Sequence, residues 1–352
     1  MSEVSVSIAM ATYNGERFLE RQLVSISAQT RQPMEMVVCD DGSTDETVGM
    51  VEKFATRAPF EVRLVRNEVR LGWAENFMSA ARLCRGDVIA WSDQDDVWMP
   101  QKLGRCLEEF ERDPAVVMVV HSRQIGDWVR RGKPVTRGPR RREVHTPASL
   151  PLKIGARGNA TVVSRRVLEI GDALATTLPG VFERFRSHDT WTCILAGAVG
   201  KVVLIPDALV QYRQHHGQVE GEEEVLRTQA ERVRISAARS RSDYEGDLER
   251  LITTAFFRAS VLAHLAAQLD GIELGSGRGA LDRSGVWRRQ GEMFQRRLEL
   301  WSQRPTSARA AACLIHSIAS GDYGRRTRGS LGLRSCLRDL WRVADVVGRR
   351  ST

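Results

Sequence analysis

The sequence has few features that would place it outside a reducing compartment or inside a membrane. Its six cysteines lie far apart and form no Cys-x-x-Cys pair, which argues against a disulfide framework or a zinc site and predicts free buried thiols. No apolar run reaches the roughly 18 to 20 residues that span a bilayer. The first residues lack the basic and apolar segments of a secretory signal. We therefore expect a soluble, cytoplasmic protein.

Two further absences concern ligands. Residues 10–15 read Met-Ala-Thr-Tyr-Asn-Gly, without the Gly-x-Gly-x-x-Gly of dinucleotide-binding dehydrogenases. No lysine occurs after Lys201, so arginine supplies the positive charge there. The formal net charge is +8, and most of the surplus lies beyond residue 217. A basic surplus favours anionic partners such as sugar nucleotides, lipid phosphates or nucleic acid. Because no nucleic-acid-binding motif accompanies it, we expect no nucleic-acid partner.

Short apolar runs alternate with helical patterns over the first 120 residues, which predicts an α/β fold. The expected strands are residues 4–9, 34–39, 61–65, 87–91 and 115–120. The expected helices are residues 16–29, 44–54 (capped by Ser43 or Thr44), 74–84 and 100–110, the last with Pro100 at its first position. Residues 123–142 hold eight Lys or Arg and one Asp, which predicts a mobile surface loop.

Further along, patterning resumes at residues 158–168, followed by a helix at 188–196 and strands at 201–205 and 208–212. Beyond about residue 217 only helical patterns occur, at 222–241, 248–269, 291–300, 307–317 and 333–347. We therefore predict an α/β domain over residues 1–217 and an all-helical C-terminal appendage over residues 218–352.

Polar clusters follow three of the predicted strands, at residues 11–15, 40–45 and 93–96. In open α/β sheets, ligands bind beyond the carboxyl ends of the strands. An isolated acidic turn is ordinary loop chemistry, but three clusters at one sheet edge indicate a ligand site.

The third cluster, Asp-Gln-Asp-Asp, places three carboxylates together, and they repel one another unless a cation lies between them. Hard oxygen ligands suit Mg²⁺ or Mn²⁺, which keep water and substrate phosphates in their other positions. The alternative is an acidic turn that caps the next helix. Asp41 is similarly placed to bind a nucleobase or ribose, or to form an Asx-turn. Gly72 and Asn76 either contact the same ligand or only start a helix.

Two later segments add candidate groups. Asp189 lies at the head of a predicted helix, where the helix dipole favours a charged carboxylate. It is a candidate base or a simple helix cap. Residues 212–216 read Tyr-Arg-Gln-His-His. Arginine can clamp phosphate, and neutral histidine can bind a metal, although histidine pairs are more often structural.

These segments resemble the family-2 glycosyltransferases with the A-type fold. The matching stretches are residues 6–14, 40–45 and 93–98, in the family's order and near its spacing. The helix that starts His-Asp-Thr-Trp at residue 188, and the strand end at residues 212–215, resemble a branch that includes bacterial rhamnosyltransferase-like enzymes. The resemblance implies a nucleotide-diphospho-sugar transferase fold with a mixed central sheet. Residues 1–120 would form its donor-binding half, and residues 121–217 its acceptor and catalytic half.

The resemblance also implies roles for individual residues. Asp189 would be the general base of an inverting sugar transfer. Asp93, Asp95 and His215 would hold Mg²⁺ or Mn²⁺, with Asp95 the direct ligand. The donor, a UDP-, dTDP- or GDP-sugar, would be contacted by Ala11, Thr12, Tyr13, Asn14, Asp41, Gly72, Asn76 and Asp93. Acceptor or phosphate contacts would come from Asp96, Trp98, His188, Trp191 and Arg213.

The implied function is hexosyl transfer, possible rhamnosyl transfer included, onto a carbohydrate or lipid-linked hydroxyl in bacterial surface polysaccharide or glycolipid assembly. Two alternatives remain. One is a sugar-nucleotide-binding module without turnover. The other is a haloacid-dehalogenase-type phosphatase, whose Asp-x-Asp-x-Val loop residues 93–97 also fit, although that loop belongs after the first strand of its fold.

The predicted helix at residues 333–347 places apolar side chains on one face and Arg334, Arg338 and Arg342 on another. Such a helix either packs on the domain or lies in an anionic membrane surface. We therefore include peripheral contact with the inner face of the cytoplasmic membrane among the expectations.

Overall fold

The structure is a computed structural model that describes residues 3–125, 135–147, 150, 156–177 and 187–213, together with residues 288 and 292. The chain divides into two compact units, residues 1–147 with 155–226 and residues 148–154 with 227–352. The elements below belong to the first unit. The predicted helices beyond residue 217 lie outside the described residues, apart from residues 288 and 292.

The first part of the fold alternates strands and helices. Its strands are β1 (Val6–Thr12), β2 (Glu35–Asp40), β3 (Glu61–Arg66) and β4 (Val88–Ser92). Its helices are α1 (Glu16–Ser27), α2 (Thr47–Ala55) and α3 (Trp73–Leu83). The predicted order of strands and helices is confirmed here, with boundaries that differ by up to three residues.

The second part is less regular. Its strands are β5 (Val97–Trp98), β6 (Val116–Ile125), β7 (Val135–Arg137), β8 (Glu143–His145), β9 (Thr161–Ser164) and β10 (Lys201–Tyr212). Its helices are α4 (Lys102–Arg112), α5 (Arg165–Thr177) and α6 (His188–Val199), and a 3₁₀ turn at Gly158–Ala160 precedes β9.

One mixed sheet contains all ten strands, with the main order β3-β2-β1-β4-β9-β6-β10-β5. Strands β3, β2, β1 and β4 are parallel neighbours, whereas β9 runs antiparallel to both β4 and β6. Because β1, β2 and β4 are parallel, their carboxyl ends meet at one edge. The α/β class with a mixed central sheet is thus confirmed.

The apolar composition of the central strands follows from their burial. Every residue of β1, β2 and β4 is buried, because helices cover both faces of a parallel sheet. Leu19, Leu23 and Ile26 recur at helical spacing on α1 and are buried against this core.

Some local predictions are wrong. Residues 123–142 were expected to form a mobile loop, which is wrong at both sides of the segment: β6 continues to Ile125, and β7 at residues 135–137 pairs with it. Residues 126–134 lie outside the described residues. Glu109 on α4 holds the neighbouring segment because its buried carboxylate accepts hydrogen bonds from Arg142 (Nη2 to Oε2, 2.8 Å). An arginine-rich composition hides these short strands from pattern analysis. The predicted strands 201–205 and 208–212 form one strand, with a register shift between Ile205 and Ala208.

Two predicted helix starts are also wrong. Helix α4 begins at Lys102 with Gln101 as its N-cap residue, not at Pro100. Helix α2 begins at Thr47 after Glu46, with no side-chain cap. Ser43 instead accepts a hydrogen bond from the amide of Asn14 at 2.9 Å, so it joins two loops rather than capping a helix.

Buried cysteine thiols are confirmed for the described part of the chain. Burial raises the pKa of Cys39 to about 11 and the pKa of Cys84 and Cys106 to about 12. Cys193 is buried as well. Within the described ranges, no helix is long and apolar enough to cross a bilayer.

Candidate active site

The loops after β1 and β4 are joined by the side chain of Gln94. Its Oε1 accepts a hydrogen bond from the amide of Tyr13 at 3.0 Å, and its Nε2 donates to the carbonyl of Tyr13 at 3.0 Å. A Cβ at Gly15 would lie 2.3 Å from Oε1 of Gln94, so only glycine leaves room for this contact. The acidic loop is therefore fixed to the turn that follows the first strand.

The loops after β1 and β2 are joined as well. Oδ1 of Asn14 accepts from the amide of Thr44 at 2.9 Å, and the amide of Gly15 donates to Oγ1 of Thr47 at 2.7 Å. Asn14 has a φ of 45°, a conformation that asparagine tolerates better than most residues. The structure thus brings together the three polar clusters that the sequence placed at one sheet edge.

The predicted donor contacts in β1 offer little side-chain surface. Ala11 and Thr12 are buried, and Oγ1 of Thr12 donates to Oδ2 of Asp40 at 2.9 Å. Tyr13 is the exposed member of this stretch, and the guanidinium of Arg70 lies 3.9 Å from its ring centroid. Tyr13 and Asn14 are thus the accessible side chains at this end of β1.

Asp41 is buried, and its carboxylate organises the loop before α3. It accepts hydrogen bonds from the amide of Leu71 (2.7 Å), the amide of Gly72 (2.9 Å) and Nδ2 of Asn67 (3.0 Å). Gly72 has a φ of +81°, which glycine adopts without strain. A carboxylate offers about four acceptor positions, so one remains for a ligand.

Asn76 belongs to the same network and faces inward. Only 2% of its surface is exposed. Its Nδ2 donates to the carbonyl of Cys39 at 2.9 Å, and its Oδ1 accepts from Asn67 at 2.8 Å. This geometry gives Asn76 a role in positioning the loop rather than in touching the donor directly.

The acidic loop places unequal carboxylates side by side. Asp93 is half-buried, and burial, together with the neighbouring Asp95 and Asp189, raises its pKa to about 7. The predicted base is linked to the acidic loop by adjacent residues of the 3₁₀ turn, because the amide of Gly158 donates to Asp189 at 3.1 Å and Nδ2 of Asn159 donates to Asp96 at 2.6 Å. Lys102 and Arg123 act in the opposite direction on Asp93.

Asp96 is fully buried, which rules out the predicted acceptor contact by its side chain in this conformation. Its Oδ2 accepts from Nδ2 of Asn159 at 2.6 Å, and its Oδ1 accepts from the amide of Arg213 at 3.3 Å. Burial, Asp93 and Asp95 raise its pKa well above the ordinary value. Asp96 therefore ties the acidic loop to the 3₁₀ turn and to the end of β10.

Asp189 lies in the first turn of α6, whose N-cap is Ser187. Its Oδ2 accepts from the amide of Gly158 at 3.1 Å, and its Oδ1 accepts from the amide of Thr190 at 2.6 Å and from the hydroxyl of Ser187. These donors hold the carboxylate in a defined orientation. Since Asp189 is also partly exposed, it meets the requirements of a base.

His188 was a tentative acceptor contact, but the structure buries it. Its ring stacks on Phe77 at 4.1 Å between centroids and packs against Trp91 and Trp73 at 4.8 and 5.8 Å. Neither ring nitrogen has a hydrogen-bond partner among the described residues, and burial lowers the pKa of His188 to about 4. His188 is therefore a neutral core residue that supports the helix carrying Asp189.

The two tryptophans expected near the acceptor are also buried. Trp98 is 2% exposed and lies under Nζ of Lys102, 3.8 Å from the ring centroid. Trp191 is 1% exposed, and its indole lies against Gly171 of α5. Both predictions of acceptor contact are wrong for this conformation, because these rings pack in the core.

Arg213 lies at the rim of the site. Its guanidinium carbon lies 5.0 Å from the ring centroid of Phe18. The guanidinium carbon of Arg17 lies 5.1 Å from the same centroid. Burial and the nearby Arg21 lower the pKa of Arg213, whereas Asp95 and Asp96 oppose the change. The acidic loop is thus bordered by a group of arginines that can attract phosphate.

A divalent cation fits this site when part of its coordination comes from outside the described residues. Among those residues, no three acidic, histidine or cysteine side chains form a ready metal-binding set. Mg²⁺ is commonly held by one or two carboxylates together with substrate phosphates and water. Asp93 and Asp95 can provide the carboxylates. Burial and the neighbouring carboxylates of Asp95 and Asp189 raise the pKa of Asp93, and a bound cation would favour its charged form. His215, the third predicted ligand, lies outside the described residues.

Sequence reasoning assigned no role to four residues that shape the site: Gln94, Lys102, Gly158 and Asn159. Gln94 lies within the acidic motif, where the prediction concerned the three carboxylates alone. The contacts of Gly158 and Asn159 depend on a turn far from the acidic loop in sequence, so no local pattern indicates them. The burial of Lys102 could have been suspected, because Lys102 lies four residues before Cys106 and so shares one face of the predicted helix with it.

Comparison with known proteins identifies the class. Residues 7–169 match the sequence model of Glycosyl transferase family 2. The chain is 34% identical over 124 residues to an uncharacterized glycosyltransferase of Nostoc sp., an alignment that covers 35% of this chain and 38% of that protein. It is 35% identical over 103 residues to the UDP-Glc:alpha-D-GlcNAc-diphosphoundecaprenol beta-1,3-glucosyltransferase WfgD of Escherichia coli, covering 29% of this chain and 40% of that enzyme.

The fold agrees with this match. Residues 1–349 of S. aureus TarS superpose with a TM-score of 0.50 at 15% identity, covering 90% of this chain and 87% of that one. Residues 7–169 of the chain therefore form a family-2 glycosyltransferase domain with the A-type fold. The matches cover 38% to 60% of the first curated relatives. The phosphatase alternative is not supported. The Asp-x-Asp loop follows the fourth strand rather than the first, and it lies within the residues that match the glycosyltransferase family.

Proposed function

We propose that the protein transfers a sugar from a nucleotide-diphosphate donor to an acceptor hydroxyl, with inversion at the anomeric carbon and with the help of Mg²⁺ or Mn²⁺. The observation that supports this most is the 3₁₀ turn between the acidic loop and the candidate base, where the amide of Gly158 donates to Asp189 and Nδ2 of Asn159 donates to Asp96. A metal-binding carboxylate pair beside a partly exposed base is what direct displacement requires.

Tyr13, Asn14 and the remaining acceptor position of Asp41 would contact the nucleoside of the donor. Asp95 and Asp93 would hold the metal, which offsets the charge that develops on the departing diphosphate. His215 is proposed as a further ligand. Arg213 would contribute positive charge near the phosphates.

Asp189 would take the proton of the acceptor hydroxyl as its oxygen attacks the anomeric carbon. Proton transfer to a positioned base is typically worth about 10² to 10⁴ in rate. The amide of Gly158 and the amide of Thr190 in the first turn of α6 hold the carboxylate in place by hydrogen bonds. Direct attack from the face opposite the diphosphate would invert the configuration.

The acceptor is proposed to be a carbohydrate or a lipid-linked sugar of surface polysaccharide or glycolipid assembly. The name of the E. coli relative describes transfer of glucose to a diphosphoundecaprenol-linked sugar, and the basic rim around Arg213 suits a phosphate-bearing acceptor. Rhamnose remains one predicted donor sugar among others, and the cytoplasmic face of the membrane remains the predicted location.

The full chain should be incubated with UDP-, dTDP- and GDP-sugars in Mn²⁺, in Mg²⁺ and in EDTA, and nucleotide release should be measured. We expect release from at least one donor that requires metal, and proton NMR of the product should show the opposite anomer. Donor binding without release, given carbohydrate and lipid-linked acceptors, would favour a binding module. No metal-dependent response to any donor would contradict the proposal.

A further inference from the structure

Lys102 is an unusual residue for its position. It lies in the first turn of α4 and none of its surface is exposed, although lysine is almost never fully buried without an ionic partner. Its Nζ donates one hydrogen bond, to the carbonyl of Asn159 at 2.7 Å. Within the described residues, no carboxylate oxygen lies within 4 Å of this ammonium group, so its charge is not balanced by a direct ion pair.

The acidic loop supplies the balancing charge at longer range. Asn159 connects the two, because its carbonyl accepts from Lys102 while its Nδ2 donates to Oδ2 of Asp96 at 2.6 Å. Burial lowers the pKa of Lys102 to about 8, against the opposing influence of Asp96 and Asp93. The group is therefore mostly charged at neutral pH. Lys102 in turn opposes the rise in the pKa of Asp93.

The indole ring of Trp98 completes the environment of the ammonium group. The Nζ atom lies 3.8 Å from the ring centroid, which is within the range of a cation–π interaction. The carbonyl of Asn159 and this ring hold the charge at a defined place beside the loop. A long side chain buried in this way cannot follow a ligand out to solvent.

We propose that Lys102 is a fixed internal counter-cation of the acidic loop, which weakens metal binding to the free protein and so makes metal binding depend on the donor diphosphate. The proposal rests on the metal site of the proposed function. Lys102 partly neutralises Asp93 and Asp96 and repels an incoming divalent ion. The diphosphate brings new negative charge and ligand oxygens, which restore a strong cation site. Lys102 is thus a positioning residue that couples metal to donor.

Two substitutions test this. Lys102→Gln removes the charge but keeps a donor for the carbonyl of Asn159, and Lys102→Met removes both. Mn²⁺ binding to each full-length variant should be measured by the loss of the free Mn²⁺ signal in electron paramagnetic resonance, with and without UDP or GDP. Lys53→Met is the matched control, because Lys53 is exposed on α2 and its loss changes the net charge equally.

Without nucleotide, we expect Lys102→Gln to bind Mn²⁺ on the order of tenfold more tightly than the unmodified protein, since a nearby unit charge is removed from a poorly solvated site. The gain in Mn²⁺ affinity on adding nucleotide should shrink by a similar factor, because in the unmodified protein the bound diphosphate already offsets the charge of Lys102. By linkage, the gain in nucleotide affinity on adding Mn²⁺ should shrink equally. Mn²⁺ should also raise the melting temperature of Lys102→Gln more than that of the unmodified protein. Lys53→Met should leave all three quantities unchanged.

If Lys102→Met does not fold, Lys102→Gln and its melting curves carry the test. Equal Mn²⁺ affinity of Lys102→Gln and the unmodified protein, with metal binding intact, would overturn the role of Lys102 alone. Absence of Mn²⁺ binding to the unmodified protein even with UDP and GDP would contradict the metal site itself.

Discussion

Asp189 combines partial exposure with three hydrogen-bond donors and a helix N-terminus. Asp189→Asn keeps the size of the side chain and removes its ability to accept a proton. We expect kcat to fall by about 10² to 10⁴, while the Kd for the donor nucleotide stays within a fewfold. Single-turnover kinetics and calorimetry measure the two quantities. Asp172→Asn, on the exposed side of α5, is the matched control, and equal activity of both variants would exclude Asp189 as the base.

Gln94 connects the acidic loop to the Tyr13 turn through two hydrogen bonds. Gln94→Glu keeps the acceptor for the amide of Tyr13 but loses the donor for its carbonyl, and it places a further negative charge beside three carboxylates. A lost hydrogen bond costs about 1 kcal/mol or more, so donor affinity should weaken at least fivefold to tenfold. Titration of UDP and GDP in Mn²⁺ checks this. Unchanged affinity would mean that the Tyr13 turn does not need this contact.

At this scale the sequence predicted which residues are unusual better than where their side chains lie. The positions of Asp93 just after a strand and of Asp189 in the first turn of a helix are as predicted, because both are local properties of the sequence. Asp96, Trp98 and Trp191 were expected to be accessible, and they are buried. Their burial depends on α5, β10 and the 3₁₀ turn, whose contacts with them span long sequence separations that no periodicity reveals.

Among the elements, Glu35 at the start of β2 links three strands. Its buried carboxylate accepts from Oγ of Ser7 on β1 (2.8 Å), Nη2 of Arg63 on β3 (2.8 Å) and the amide of Arg85 before β4 (2.6 Å). Burial alone would raise its pKa, but these hydrogen bonds outweigh it and lower the pKa below 4.5. The carboxylate therefore contributes stability above about pH 4.5, and that contribution is lost as the pH falls through the lowered pKa.

Glu35→Gln should reduce the free energy of unfolding at pH 7 by about 2 to 4 kcal/mol, since it removes the charged partner of a buried network. Its stability should also depend less on pH below 4.5. Urea unfolding at pH 7 and at pH 3.5 to 4.5 measures both effects. Glu61→Gln is the control, because Glu61 is half exposed and should cost less than about 1 kcal/mol. Equal losses would show that the network adds nothing beyond a surface ion pair.

The 3₁₀ turn at Gly158–Ala160 packs against the first turn of α6, which carries His188 and Asp189. A Cβ at Gly158 would lie 2.5 Å from Nε2 of His188, whose ring is enclosed by aromatic side chains and cannot easily move. Gly158→Ala should therefore cost about 1 to 3 kcal/mol and lower kcat, because the amide of Gly158 also holds Asp189. Thermal unfolding and steady-state kinetics report the two effects.

Gly171→Ala on α5 is the matched substitution, because a Cβ there would lie 2.8 Å from Cδ1 of Leu195 on α6. It should destabilise the protein to a similar degree with a smaller loss of activity. If both variants lose kcat in proportion to stability, the turn has no specific effect on the base.

Elements with long apolar runs were predictable, and short ones were not. Strands β1, β2 and β4 are buried along their whole length, so their composition is mostly apolar and stands out in the sequence. Strand β5 has two residues, and β7 and β8 have three each. Their pairing with β6 and β10 comes from tertiary contacts and from the Glu109–Arg142 ion pair, which strand propensity does not encode.

At the scale of the whole molecule, the basic helix predicted at residues 333–347 is expected to contact an anionic membrane surface. The full chain should sediment with vesicles that contain anionic phospholipid, and a chain ending before Asp322 should sediment less. Raising the salt concentration should weaken binding, because the attraction is electrostatic. Donor binding by both forms, measured in parallel, controls for folding. Identical sedimentation of the two forms would contradict membrane contact by the C-terminal segment.

The central claim is that the acidic loop binds a metal together with the donor diphosphate. Calorimetric titration of UDP and GDP into the full chain, in Mn²⁺ and in EDTA, tests it most directly when repeated with Asp95→Asn. We expect at least one nucleotide to bind on the order of tenfold or more tightly with Mn²⁺, as a divalent ion bridging carboxylate and diphosphate requires, and Asp95→Asn should lose most of that gain. Equal affinity with and without metal, or an undiminished gain in Asp95→Asn, would contradict the claim.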